Sequence, residues 1–254
     1  MAMIFDSHAH YDDAAFDADR QEVLKSLPAH GVEGVINCAT DAKSAEWGVR
    51  TAAQIPHLWC MVGIHPEQAG EATEEDWRAC EALLSSPKVV GIGEIGLDYH
   101  YSDSPPREVQ KYWFEKQLDA AVRHGLPVSV HDRDGHEDTL SLLRRHRPQG
   151  VIHCFSGSVE MAREVVRMGL YIGIGGVVTF RNARKAVEVV RDMPLDRLLL
   201  ETDAPYMAPV PYRGKRCDSS MIEKTAGVIA EIRGITTQQV YAQNRANVKA
   251  LFGI

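Results

Sequence analysis

Short apolar runs alternate along the chain with longer segments in which apolar side chains recur every three to four residues. The runs fall at 2–8, 31–39, 58–65, 88–96, 127–131, 150–155, 170–176 and 197–203. Their length and flanking turn residues predict strands. The segments 17–30, 44–55, 74–85, 107–125, 137–146, 158–169 and 182–193 carry the helical period and predict helices. Two more helices are predicted at 219–234 and 236–252, opening at Ser219 and Thr236, whose hydroxyls suit an N-cap.

Strands that are apolar throughout belong in a parallel sheet covered on both faces by crossover helices. Eight strands, each followed by a helix, in 254 residues match the count and size of a (β/α)8 TIM barrel. The other architecture with this rhythm, a doubly wound open sheet, fits the eightfold count less well. No low-complexity linker interrupts the pattern, so 1–254 reads as a single domain.

Composition changes this picture little. A net charge of −7 gives no global field for a polyanion, so nucleic acid would need a local basic patch or metal ions. The five cysteines, Cys38, Cys60, Cys80, Cys154 and Cys217, are odd in number and widely spaced, with no CxxC pair. That pattern argues against a disulfide framework and for a reducing compartment. The first residues, MAMIFDSHAHYDD, show no signal-peptide pattern, and no run reaches the ~20 apolar residues of a membrane span. The expectation is a cytoplasmic protein without a membrane association, and no obligate protein partner is evident.

Candidate chemistry gathers at the ends of the strands. The first ends in His8 and His10, the third in His65 (GIHP) and the fourth in Glu94 (GEIGLDYH). The fifth ends in His131 (SVHDRDG), the sixth carries His153 (VIHCFSG) and the eighth ends in Asp203 (LLLETDAPYM). In a barrel all strand C-termini open on one face, where active sites sit. A lone histidine after a strand is ordinarily structural, but several strands delivering imidazole or carboxylate to one face predict a metal site. Four histidines (His8, His10, His131, His153) and two carboxylates (Glu94, Asp203) exceed one tetrahedral zinc and suit two divalent ions, with Glu94 as the bridge. Asp203 would hold one ion and accept the proton of an attacking water. Zn, Mn and Mg all suit these ligand types. No GxSxG elbow is present, and GIGG (173–176) lacks the spacing of a nucleotide-binding fingerprint, so it reads as a strand end.

A second signal is PYRGKR (211–216), after the eighth strand. Arg213, Lys215 and Arg216 form a cationic cluster suited to substrate phosphate, with Arg133 as a further cation. His65 and Asp98 are candidates either for substrate contact or for supporting a ligand.

In FDSHAH, GIHP, GEIGLDY, HDRDG, HCFSG, ETDAPY, YRGKR and NRANVKALF, the chain resembles the TatD family of metal-dependent deoxyribonucleases, in the amidohydrolase superfamily. The resemblance implies a TIM barrel with two divalent metals. It assigns His8, His10, Glu94 and Asp203 to one metal, and Glu94, His131 and His153 to the other. It implies hydrolysis of DNA phosphodiester bonds, commonly from the 3′ end of single strands. Two departures stand out: Cys217-Asp218-Ser219 replaces the usual Asn-acidic-Pro after RGKR, and Gly135 replaces the usual Ala or Thr. Neither is a proposed ligand. Two other readings remain: an amidohydrolase-type enzyme acting on a small amide, lactone or phosphoester, and a metal-holding barrel that only binds. Glu94, where related enzymes often carry a bridging modified lysine, and the basic loop weigh against the first. The second predicts that Asp203 is dispensable.

Overall fold

A computed structural model describes residues 3–254. Its sheet contains eight parallel strands in sequential order: β1 (Ile4–Ala9), β2 (Val32–Cys38), β3 (Leu58–Val62), β4 (Val89–Asp98), β5 (Val128–Arg133), β6 (Gly150–Ile152), β7 (Tyr171–Ile174) and β8 (Leu198–Leu200). Among the described residues nine α-helices surround them: α1 (Arg20–Ser26), α2 (Ala42–Ala52), α3 (Glu74–Leu83), α4 (Arg107–His124), α5 (His136–His146), α6 (Val159–Arg167), α7 (Arg184–Asp192), α8 (Ile222–Arg233) and α9 (Thr237–Phe252). This is the (β/α)8 barrel expected from the rhythm of the sequence. Residue 2 of the first predicted strand lies outside the described residues. Among the described residues, no helix is long and apolar enough to cross a membrane.

Strand period sorts the core. Leu198 and Leu200 pack outward under the helices, whereas Leu199 joins Phe5, Ile36, Met61 and Val151 in a separate inner cluster, against which Phe252 of α9 packs. Several strands end earlier than predicted. The runs 150–155 and 197–203 keep ladder pairing only to Ile152 and Leu200, because the residues beyond leave the ladder to reach the site. The helix predicted at 17–30 divides at Leu27, where a 3-10 turn containing Pro28 follows α1. Thr236 caps α9 as expected, with a capping box to Gln239. Ser219 does not cap α8. Asp218 caps a 3-10 turn before it, and the Ser219 hydroxyl is used elsewhere.

The β1–β8 seam has little ladder, so side chains close it. Asn244 of α9 donates to the Phe5 carbonyl and accepts from the Leu200 N–H, and Ser7 Oγ donates to the Leu200 carbonyl. Buried Asp6 accepts from the N–H groups of His8 and Thr202 and from the hydroxyls of Thr202 and Ser219. Within the departing segment Cys217–Ser219, Ser219 therefore serves this seam, while Asp218 caps the 3-10 turn and the Cys217 N–H donates to the Pro205 carbonyl. Gly135 also has a packing reason: a Cβ there would stand 2.9 Å from Leu97 Cβ. In the chelated protein, Asp6→Ala leaves four donors without acceptors and should lower stability by about 2–4 kcal/mol. A urea midpoint unchanged from wild type would show that the seam does not depend on Asp6.

Candidate metal centre

Strand period and two register breaks aim the side chains. Two residues beyond inward-facing Val151 and Leu199 stand His153 and Glu201. The β1 register shifts between Asp6 and Ala9, and the β4 register between Ile92 and Ile95. Such irregularities re-aim side chains, and here His8, His10 and Glu94 converge in the barrel mouth.

Glu94 is the centre of the arrangement. Its Oε2 lies 3.2 Å from His8 Nε2 and 3.1 Å from His10 Nε2. Its Oε1 lies 2.7 Å from both His131 Nδ1 and His153 Nε2. Asp203 Oδ1 stands 3.4 Å from His10 Nε2 and 4.0 Å from His8 Nε2. Three triads have donor atoms close enough to share a cation: His8–Glu94–His153, His8–His10–Asp203 and His65–Glu94–His131.

Hydrogen bonds from behind set which ring nitrogen faces inward. His10 Nδ1 lies 2.8 Å from the Cys38 carbonyl, which can only accept, so Nδ1 carries a proton and Nε2 is the nitrogen turned toward the carboxylates. His131 Nε2 lies 3.0 Å from Asp98 Oδ2, which leaves Nδ1 for a ligand. His8 Nδ1 pairs with Ser129 Oγ at 2.8 Å. His65 differs. Its Nδ1 accepts the Glu67 N–H, so a neutral ring carries its proton on Nε2 and donates to Glu94 Oε1 at 3.3 Å.

Charge in the cluster is balanced by protons. Burial opposes ionisation of Glu94, but the surrounding imidazoles, His153 first among them, hold its carboxyl well below the usual range. Burial likewise opposes ionisation of Asp203, and the His10 hydrogen bond and the His153 charge keep it low. Burial pushes His8 down to about 3. His131 is opposed by burial but raised to about 10 by its hydrogen bonds to Asp98 and Glu94. Among the described residues no Lys or Arg pairs with Glu94 or Asp203; only imidazoles do. Imidazole lone pairs converging on carboxylates that lack a fixed cation fit a divalent metal, whose binding would replace those protons.

The cluster forms the floor of a cavity of about 1140 Å³. Arg133 lies in its wall, with its guanidinium over the Tyr101 ring and hydrogen-bonded to the Tyr101 hydroxyl. Asp98, expected at the substrate or behind a ligand, is buried, and its two oxygens hold His131 and the His100 N–H. Arg213 and Lys215 do not line this cavity but a neighbouring hollow of about 420 Å³. Arg216 borders the hollow too, but its guanidinium is committed to both oxygens of Asp19, 2.7 Å away, and lies over Phe16. It is the member of the basic loop least available to a phosphate.

Two supporting residues escaped the sequence reading. Ser129 is one. The other is Glu201, whose carboxyl burial raises to about 8, and whose Oε1 accepts the Cys154 N–H and lies 3.9 Å from His153 Nδ1. A Cβ at Gly173 would meet Glu201 Oε2 at 2.3 Å, so the GIGG run leaves room for this carboxyl. The available signal was a glutamate inside an apolar run, two residues before Asp203.

Residues 5–253 match the family model described as TatD related DNase. The chain is 38% identical to the metal-dependent hydrolase YabD of Bacillus subtilis (strain 168), over 99% of this chain and 100% of that protein. It is 34% identical to the 3′-5′ ssDNA/RNA exonuclease TatD of Klebsiella pneumoniae (strain 342), over 99% of this chain and 98% of that one. The crystal structure of YJJV, a TatD homologue from Escherichia coli K12, superposes with a TM-score of 0.94 at 31% identity, covering 100% of this chain and 99% of that one.

Proposed function

The chain belongs to the TatD family of metal-dependent hydrolases, and on that premise we propose that it is a 3′–5′ deoxyribonuclease acting on single-stranded DNA ends with two divalent ions, Zn, Mn or Mg. The observation that carries the reading is the division of the donors by one carboxylate. His8 and His10 approach one oxygen of Glu94, and His131 and His153 approach the other. With Asp203 beside His10, this supports one ion held by His8, His10, Glu94 and Asp203, and one held by Glu94, His131 and His153.

Two ions held there would supply a positive field that acidifies water and offsets charge building on the phosphate. Asp203 is the proton acceptor: its side chain keeps 15% exposure to the cavity, and its carboxyl stays ionised at neutral pH. Asp98 and the Cys38 carbonyl hold His131 and His10 in the tautomers a ligand needs, and Ser129 fixes the orientation of His8. His65 donates toward Glu94, and Arg133 offers a guanidinium to a phosphate entering the cavity. All five cysteines are free, which fits work in the reducing cytoplasm.

The test strips the purified protein with a chelator, reloads it with Mg²⁺, Mn²⁺ or Zn²⁺, and counts ions per chain. Its substrates are a 5′-labelled single-stranded oligonucleotide and a panel of small amides, lactones and phosphoesters. The expected result is metal-dependent shortening from the 3′ end, saturating at two ions. An inert oligonucleotide beside a hydrolysed lactone or amide would overturn the nuclease reading. Full activity at one ion would overturn the paired site.

A further inference from the structure

The cavity does not end at the metal centre. Its wall includes Tyr206 and Met207, and the same two residues border the 420 Å³ hollow lined by Phe180, Arg213 and Lys215. Both are exposed, at 52% and 44%. Arg181 on the adjoining β7–α7 connection and Arg184 and Lys185 in the first turn of α7 are exposed, and the last two also line the main cavity. Arg184 pairs with Glu188; among the described residues no carboxylate pairs with Arg181, Lys185, Arg213 or Lys215. In a chain of net charge −7, five cations gather on the loop after β8 and on the β7–α7 connection with the first turn of α7. On the β1–β3 side the lining is acidic on balance, with Asp12, Asp13, Asp41 and Glu67 against Lys43.

This ground is firm. Val210 N–H donates to Thr179 Oγ1 at 2.8 Å, tying the two connections together. The backbones also pack tightly, since a Cβ at Gly176 would stand 2.2 Å from the Met207 carbonyl oxygen. The Arg213 guanidinium lies 4.3 Å above the Phe180 ring, which presents a flat cation. The Tyr206 hydroxyl donates to Asp13 Oδ2 at 2.6 Å, which fixes the ring at the lip of the cavity.

We propose that the hollow and the β7–α7 connection form a track for the remainder of a single-stranded polynucleotide, leading away from the metal centre past Tyr206. This rests on the nuclease reading and extends it. Exposed cations beside aromatic faces are what a single strand needs: the cations follow the phosphates, and the rings stack on bases of any sequence. The two walls set the direction. Phosphates are repelled along the acidic β1–β3 side and attracted along the β7–β8 side. The sequence hid half of the track, because the cations at 181–185 lie some thirty residues before the basic loop and meet it only in the fold.

The test measures binding by fluorescence anisotropy in chelator, where no cleavage occurs. The probes are labelled oligothymidylates of about twelve and about three nucleotides. The proteins are wild type, Arg181→Ala/Lys185→Ala, Arg213→Ala/Lys215→Ala, and a control, Arg123→Ala, at an ion pair with Glu81 outside both hollows. Wild type should bind the longer probe at least about tenfold tighter than the shorter. Each double variant should lose most of that gain and reduce the salt slope by about 0.7 per phosphate contact removed; the control should lose nothing. Unchanged affinity and salt slope in both double variants, while the wild type still shortens oligonucleotides with metal, would overturn the track and leave the nuclease reading standing. A wild type that neither binds the longer probe nor cleaves it would overturn both.

Discussion

Asp203→Asn should lower turnover of a single-stranded oligonucleotide by about 10²–10⁴-fold, the usual consequence of losing a general base. The side chain is placed for that role by its backbone. Asp203 follows β8 with φ of +60°, a conformation uncommon for a non-glycine residue, and its N–H donates to the His8 carbonyl at 3.0 Å. That turn directs the carboxylate over His10 and into the cavity. Asparagine keeps the shape and an acceptor oxygen for His10, so folding should be preserved, whereas its amide cannot take a proton at neutral pH. The check is single-turnover cleavage at saturating metal, alongside circular dichroism and a thermal melt. Activity within about threefold of wild type in a normally folded variant would remove Asp203 from the chemistry, and would favour the binding-only reading of the barrel.

The barrel was legible because each strand is an apolar run and each run is followed by a helical period. The candidate ligands were legible because they stand at the ends of those runs, where the fold brings them to one face. What the sequence hid depends on contacts across the chain. Arg216 looks like a third free cation beside Arg213 and Lys215, yet Asp19, 197 residues away, occupies it. Ser219 looks like a helix cap, yet its hydroxyl goes to Asp6 at the barrel seam. Asp98 cannot be told from a substrate residue until His131 is seen 3.0 Å away. Glu201 sits in a run that reads as plain strand, and only the space left by Gly173 shows that the position was made for a carboxyl. The candidate ligands follow from local pattern. The residues that hold them in place follow from packing, which a single sequence does not display.

Glu94→Gln should have the largest effect on metal, because one residue serves both sets of donors. The substitution conserves volume but removes the negative charge and turns one oxygen into an NH2 group. That donor would face either the His8–His10 pair or the His131–His153 pair, whichever way the amide is turned. Losing a group that merely supports a ligand costs about 10–100-fold in affinity, so losing a shared ligand should cost at least about 10²-fold at each position. The metal-free protein should register the change too. His131, raised to about 10 partly by Glu94, contributes stability that is fully present below its unfolded value and lost as pH rises through 10. Without Glu94 that contribution shrinks, because the raised value then rests on Asp98 alone. Metal content after dialysis and calorimetric titration of the chelated protein would read the first effect; urea midpoints at pH 6 and pH 9 would read the second. A variant that keeps one ion at wild-type affinity would show that Glu94 serves only one set of donors. A variant that keeps both would remove Glu94 from the metal centre and, with it, the observation on which the two-ion reading rests.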